Sequence, residues 1–303
     1  MELNQLKTFV TVAEEQHLTR AAERLYTSQP AVSAQLKALE ESLGVVLFDR
    51  TPKGMKLTPS GEKLLIEAQA ALDAADRVIS QAKSIQGEVI GNLSVGVNSD
   101  CSFLRIPELL ADASDRYPNV QLSFINGMSP DILLDIRKGK LDSGFFFGPL
   151  STTDIHAIQL AEIETTIVAP VGWASKIKGA SPEDLALFPW VYTTSRCPFY
   201  HLTEALFKDL NVEPSKAVFV DNEDAIRALV KAGSGIALMR FDDADRAEAE
   251  GWGARWDGHS PSLPLSIAAQ SRRAQEPIIQ AWFDVLLKAW TIDGGEVQNQ
   301  KAG

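Results

Sequence analysis

Leu65, Ala68, Leu72, Ala75, Ile79 and Ala82 follow one another at alternating steps of three and four residues. This heptad seam constrains the chain more than any other feature. A stripe with that spacing lies along one side of a helix and needs a partner helix to bury it. Leu64, Ala71, Val78 and Ile85 recur every seven residues beside it and widen the stripe. Thr58-Pro59 opens the helix, which is expected to run to about Gln86, and Gly87-Glu88-Val89-Ile90-Gly91 ends it as a hinge. A second copy of the chain is the natural partner, giving a homodimer; packing on the chain's own second domain is the alternative. The helix divides the chain into a head (1–58), a linker and dimerisation helix (59–88) and a body (89–303).

In the head, Leu3, Leu6, Phe9, Val10 and Ala13 recur at helical steps. Leu18–Leu25 reads as a short second helix whose Ala21-Ala22 pair lets a neighbour approach closely. Tyr26-Thr27-Ser28 breaks the pattern, and Thr27 or Ser28 can cap a third helix with Pro30 in its first turn. Val32, Leu36 and Leu39 give that helix its buried stripe, while Gln29, Ser33 and Lys37 lie on the other face. Two short helices joined by a tight turn form a helix-turn-helix, whose second helix can enter a major groove; a small helical bundle with polar faces is the plainer alternative. Gln29 and Ser33 can bond base edges and Pro30 can touch a thymine methyl. Thr19, Arg20, Thr27, Ser28 and Lys37 suit phosphates.

Net charge is −11, which at first opposes nucleic-acid binding. Its distribution matters more, since residues 16–63 carry seven basic and five acidic residues, a local +2 on an acidic chain. Val45–Phe48 reads as a short strand, with Lys56–Thr58 pairing back to it. Between them Asp49–Gly54 makes a turn with a basic tip. A hairpin after the recognition helix is a wing, and its Arg50 and Lys53 can reach phosphate or a minor groove.

The stretches LKTFVTVAEEQHLTRAAERLYTSQPAVSAQLKALEESLGVVLFDR and GMKLTPSGEKLL closely resemble the LysR-type transcriptional regulators over about 60 gapless residues. Ala34 departs from the family pattern, where an arginine often grips phosphate, so that work falls to Lys37, Arg50 and Lys53. The resemblance implies double-stranded DNA as partner, dimerisation often followed by tetramer assembly, and RNA polymerase as a further partner.

From Asn92 short apolar strands alternate with helices, which points to a parallel sheet with both faces covered. Strands are expected at 92–98, 120–126, 143–147, 166–171, 190–193, 217–221, 236–238 and 265–270. Helices are expected at 104–116, 131–138, from about Leu202, from Glu223 and at 277–290. The last ten or so residues are expected to be disordered. The segments SPEDLALFPWV and DNEDAIRALVKAGSGIALM extend the resemblance more weakly. It implies two α/β subdomains like those of a periplasmic binding protein, subdomain I at 92–162 and 266–292 and subdomain II at 163–265, with a small-molecule effector between them. The expected fold class is thus a multidomain α+β and α/β chain: winged helix-turn-helix, long helix, two-subdomain effector domain. Met239-Arg240 departs from a proline frequent in the family.

Ligands of open α/β sheets sit at the carboxyl ends of strands. The effector-binding residues expected there are Asn98, Ser99, Cys101, Ser102, Phe147, Gly148, Thr194, Ser195, Cys197, Phe199 and Asp221, with Tyr200 as a further wall. Helix starts favour an anion, while Asp100 opposes one, and the Ser and Thr residues can equally be helix caps. Cys101 and Cys197 sit near expected helix N-termini, a setting that lowers a thiol's pKa. Redox or electrophile sensing is therefore an alternative trigger, as is a soft metal held by Cys197 and His201.

Two cysteines are too few for a disulfide framework. No apolar run reaches the roughly 18 residues of a membrane span, and the N-terminus lacks a signal-peptide layout, so a cytoplasmic protein is expected. A solute receptor would suit the body but not the head. An enzyme built on Cys197 and His201 lacks a legible oxyanion site, so no catalytic residue, metal or cofactor is assigned.

Overall fold

The computed structural model describes residues 1–52, 54–85, 88–208, 210 and 212–291. Lys53, Gln86, Gly87 and the C-terminal stretch expected to be disordered lie outside the described residues. The chain forms two compact units, Met1–Glu88 and Val89–Gly303.

In the first unit α1 (Leu3–Glu15), α2 (Leu18–Arg24) and α3 (Gln29–Leu43) precede a hairpin of β1 (Phe48–Thr51) and β2 (Gly54–Leu57), then α4 (Pro59–Ile85). Leu6, Phe9, Ala21, Val32, Leu36, Leu39 and Leu47 share one core, and Phe9 meets Phe48 edge-on at 5.5 Å. Ser28 caps α3 by accepting the Ala31 N–H at 3.4 Å. Gly44, at φ +69°, closes the same helix in the left-handed conformation that glycine adopts freely. Thr58 caps α4 by accepting the Gly61 N–H at 2.9 Å.

The hairpin begins three residues later than the apolar run suggests. Leu47 is buried as expected, but its N–H donates to the Glu40 carboxylate at 2.7 Å rather than to a ladder. Val45 donates to the Glu40 carbonyl at 3.2 Å. Residues 45–47 are thus held to the end of α3, and Asp49, Arg50 and Thr51 move from the turn into the strand, opposite Lys56, Met55 and Gly54.

Gly54 fixes how the hairpin docks. Its φ is +126°, and a Cβ there would lie 2.3 Å from the Gln16 carbonyl oxygen, the same atom that accepts the Met55 N–H at 2.8 Å. Gly54→Ala is expected to cost about 1–3 kcal/mol and to release the hairpin from the α1–α2 turn. Faster amide exchange at Met55 checks this; unchanged protection would sink it.

The stripe on α4 is divided. Leu64, Leu65, Ala68, Ala71 and Leu72 pack on the core of the head, so its first half is already covered by the chain itself. Beyond them Val78 is 70% exposed and Ile79 58%.

In the second unit the chain order is β3 (Gly91–Val97), α5 (Ile106–Arg116), β4 (Val120–Asn126), α6 (Ser129–Arg137), β5 (Ser143–Phe147) and β6 (Ile155–Pro170). Next come α7 (Ala174–Ile177), α8 (Pro182–Ala186), β7 (Pro189–Tyr192), α9 (Pro198–Phe207), β8 (Ser215–Phe219) and α10 (Glu223–Lys231). The unit closes with β9 (Ala237–Arg240), α11 (Phe241–Ala249), β10 (Gly253–Arg255), β11 (Ser262–Gln270) and α12 (Pro277–Thr291). The strand order is β10-β6-β11-β5-β3-β4, with β9 also on β6.

The sheet is mixed, not parallel as the alternation of elements suggests. β3, β4 and β5 run parallel, but the returning β11 is antiparallel to β5 and β6. β6 is a single strand of 16 residues. Its first part pairs with β11, forming one lobe with β3, β4 and β5; its last part pairs with β9 and β10. The second lobe is completed by the parallel pair β7 and β8. Only the end of β6 is apolar enough to read as a strand. Helix α9 starts at Pro198, four residues before the expected Leu202, because Pro198 supplies a first turn with no N–H to satisfy. Helix α11, with the acidic sequence FDDADRAEA, is not among the expected elements, yet its Asp243, Ala244 and Ala247 are buried.

Candidate functional site

Two surfaces carry the expected functional residues. On the first unit Thr19, Arg20, Thr27, Ser28, Gln29, Pro30, Lys37 and Arg50 are exposed, and Ser33 is half-buried. Thr19 Oγ1 lies 3.5 Å from Gln29 Oε1, tying the start of α2 to that of α3. Arg50 reaches from the hairpin to donate to Ser33 Oγ at 3.2 Å, so hairpin and α3 present one continuous polar face. Arg20 donates to the Glu15 carbonyl oxygen, and Lys37 lies 3.6 Å from Glu41. Both pairs are exposed and worth little in water, so either cation can be drawn to a phosphate. Tyr26, missed from the sequence, stands 98% exposed in the turn between α2 and α3, at φ +51°, a conformation uncommon for a side chain of its size.

On the second unit a cleft of about 340 Å³ lies between the two lobes. Its walls come from strand ends and helix starts: Asn98 after β3, Asn126 ending β4, Phe147 ending β5, Thr193 after β7, Asp221 after β8 and Arg240 ending β9. Met128, Phe199, Ile226, Leu238 and Met239 add apolar surface. Phe147 and Phe199 meet edge-on at 5.4 Å, joining the lobes at one side of the cleft.

Of the expected effector contacts, Asn98, Phe147, Cys197, Phe199 and Asp221 line this cleft, whereas Ser99, Cys101, Ser102, Gly148, Thr194 and Ser195 do not. The hydroxyls serve the fold instead. Thr194 donates to the Asp221 carboxylate at 2.7 Å through its hydroxyl, and its N–H donates there at 2.7 Å too. Ser99 donates to Glu223 at 2.8 Å. Gly148 donates its N–H to the Pro264 carbonyl at 2.9 Å; Cys101, Ser102 and Ser195 are exposed.

The residue that organises the cleft is Arg240, which is 1% exposed. Its Nε donates to Asp242 at 2.9 Å. Nη1 donates to Ser99 at 2.7 Å and Glu223 at 2.6 Å. Nη2 donates to Asp100 at 2.9 Å and lies 3.2 Å from Asp243. Its Cζ sits 3.9 Å from the centre of the Phe103 ring. Ser99, Asp100 and Phe103 belong to the β3 lobe and the rest to the other, so this guanidinium fastens the two together. Burial opposes its charge, but the surrounding carboxylates outweigh that and push its pKa up. Burial likewise raises the Asp100 carboxyl, and the Phe103 N–H with the Arg240 charge overcomes it, leaving Asp100 below the usual carboxylate range.

Residues 3–62 match the bacterial regulatory helix-turn-helix proteins of the lysR family, and residues 86–291 match the LysR substrate binding domain. The chain belongs to the LysR family of transcriptional regulators. It is 28% identical over 293 residues to the HTH-type transcriptional regulator TfdS of Cupriavidus pinatubonensis, covering 94% of this chain and 97% of TfdS. It is 30% identical to PtxR of Pseudomonas aeruginosa over 241 residues, 79% of this chain and 76% of PtxR. Full-length CbnR complexed with its target DNA is similar at 25% identity with a TM-score of 0.69, covering 95% of this chain and all of CbnR. Full-length OxyR of Pseudomonas aeruginosa shares the fold at 24% identity and a TM-score of 0.70, over 94% of each chain. These proteins are regulators, not enzymes, and this chain is a DNA-binding transcription regulator with a substrate-binding domain.

In this LysR-type regulator Cys197 departs from the expectation of a lowered thiol pKa. Cys197 is the N-cap of α9, yet burial pushes its thiol pKa up and outweighs the N–H groups of Phe199 and Tyr200 that lower it. A raised pKa disfavours the reactive thiolate. Cys101 and Cys197 are both free thiols. Among the described residues no three His, Cys, Asp or Glu side chains are placed to share a metal, and no helix is long and apolar enough to cross a membrane.

Arg240 was legible only indirectly. Asp221, Glu223, Asp224, Asp242 and Asp243 crowd the two segments that flank β9. Acids in such positions are ordinarily solvated, so only the departure from proline at this position marks Arg240 out in the sequence.

Proposed function

We propose that this regulator binds double-stranded DNA sequence-specifically as a homodimer, assembles further into a tetramer, and is switched by a small molecule held between the two lobes of its body. Residues 1–58 form the DNA-binding head, 59–88 the dimerisation helix and 89–303 the effector domain, with subdomain I at 92–162 and 266–292 and subdomain II at 163–265. Gln29, Pro30 and Ser33 read base edges; Thr19, Arg20, Thr27, Ser28, Lys37, Arg50 and Lys53 hold the backbone. The protein works in the cytoplasm, with RNA polymerase as a further partner.

The observation that carries the switch is the Arg240 cluster at the cleft wall. A ligand that contacts both lobes competes with or adds to the bonds joining Arg240 and Glu223 to Ser99 and Asp100. Its differential affinity for the two placements then sets their populations. Unequal placement of two bodies in a dimer changes how far apart two heads stand on DNA.

The DNA face is tested by the salt dependence of binding to a dyad-containing promoter fragment. Arg50→Ala is expected to weaken binding several-fold across sequences and to reduce the slope of log affinity against log salt by about 1. A slope equal to wild type would remove Arg50 from the phosphate contacts.

A further inference from the structure

The expectation left open for the cleft is the charge of what it binds. Three helix N-termini reach it: Met128-Ser129 of α6, Cys197-Pro198 of α9 and Asn222-Glu223 of α10. Each is equivalent to roughly half a positive charge, so together they supply about +1.5 toward an anion. The side chains oppose this. Arg240, the only cationic residue among the described lining residues, has every guanidinium N–H occupied by Ser99, Glu223, Asp100, Asp242 and Asp243. A carboxylate ligand would find no free donor on it.

The carboxylates outnumber their cations. Asp221, Glu223 and Asp243 line the cleft, and Asp100 and Asp242 complete the ring around Arg240. Arg227 is engaged by Asp243 at 2.7 Å and by the exposed Asp224 at 2.6 Å. Arg240 therefore faces four acids. With Asp221 and Asp224 the cluster holds six acids against Arg240 and Arg227, a net of −4, and the helix ends leave it negative by about 2.5 charges. A second observation points to a missing donor. The Asn98 amide oxygen, buried at the cleft wall, has no hydrogen-bond partner among the described residues, although its nitrogen donates to Ser129 at 3.2 Å. A buried acceptor left unpaired costs free energy that a donor brought to it would recover.

We propose that the cleft takes an organic cation, with an ammonium or amidinium group toward Asp221 and Glu223 and an aromatic or aliphatic body against Phe147, Phe199 and Met128. This rests on the reading of the cleft as the effector site and adds to it the chemical class. Asp221 is the specificity residue: it is exposed and anchored by Thr194 alone, so its charge is free to face a ligand.

The test uses the full-length chain and matched probes: phenethylamine against phenylpropanoate, and agmatine against adipate, each at millimolar concentration in thermal-shift and calorimetric titrations. At least one amine is expected to raise the melting temperature, and its carboxylate partner is not. Asp221→Asn should weaken that amine about tenfold, and Met128→Trp, which fills the cleft, should abolish its shift. Stabilisation by the carboxylates and not the amines, lost in Met128→Trp, would overturn the cationic class while leaving the cleft as the effector site. No shift with either amine overturns the class as well. An amine shift that persists unchanged in Met128→Trp would overturn the cleft itself.

Discussion

Arg240→Met is expected to destabilise the effector domain by about 3–5 kcal/mol, the usual consequence of removing one partner from a buried ionic cluster. For a unit of this size that corresponds to a fall in melting temperature of about 10 °C. The side chain is almost wholly buried, and its removal leaves Asp243, itself 3% exposed, facing Asp100, Glu223 and Asp242. Arg227 retains one bond to Asp243 but cannot replace the contacts to the opposite lobe. Arg240→Met combined with Asp243→Asn should recover part of the loss, because the uncompensated charge is then smaller. Calorimetric or urea unfolding of the full chain measures both. A single variant within about 1 kcal/mol of wild type would mean that the lobes are held by their aromatic contacts and not by this cluster.

Val78→Glu with Ile79→Glu is expected to convert the protein to monomers and to lower affinity for a two-half-site operator by 100-fold to 10,000-fold, a range typical of lost bivalency. Among the described residues of α4 these two are the most exposed large apolar side chains. Burying each against a partner contributes about 1.5–3 kcal/mol, counted twice in a symmetric pair. Residues of the same stripe nearer the head, Leu65 and Ala68, pack inside their own chain, and changing them would confuse dissociation with unfolding. Sedimentation of the double variant separates the outcomes. A dimer that survives it would place the principal contact elsewhere.

Much of this fold was legible in the sequence where one period dominates. The residues of β4 and β5, and the start of α10 at Glu223, stand where alternation and capping place them. The reading failed where local composition and tertiary position disagree. Phe241–Ala249 has five charged residues in nine and still forms a helix, because Asp243 is held by Arg227 and Arg240, and Ala244 and Ala247 face the core. Ile155–Glu164 is strand because β11 returns beside it, a pairing made by residues about 100 positions away. A cleft does lie at strand ends, but the sequence points to hydroxyl groups there and not to Arg240, since a buried guanidinium leaves little trace in sequence.

The lobes of the body are joined by β6, unbroken over 16 residues, with β11 hydrogen-bonded alongside and a bulge at Leu265/Ser266. Two antiparallel strands resist stretching and shear, because every ladder bond would have to break together. They yield far more easily in torsion, the deformation in which paired strands naturally differ from one another. Mechanically the connection is a torsion bar and not a door hinge. A ligand acting on it would set the screw angle between the lobes more than the gap that separates them.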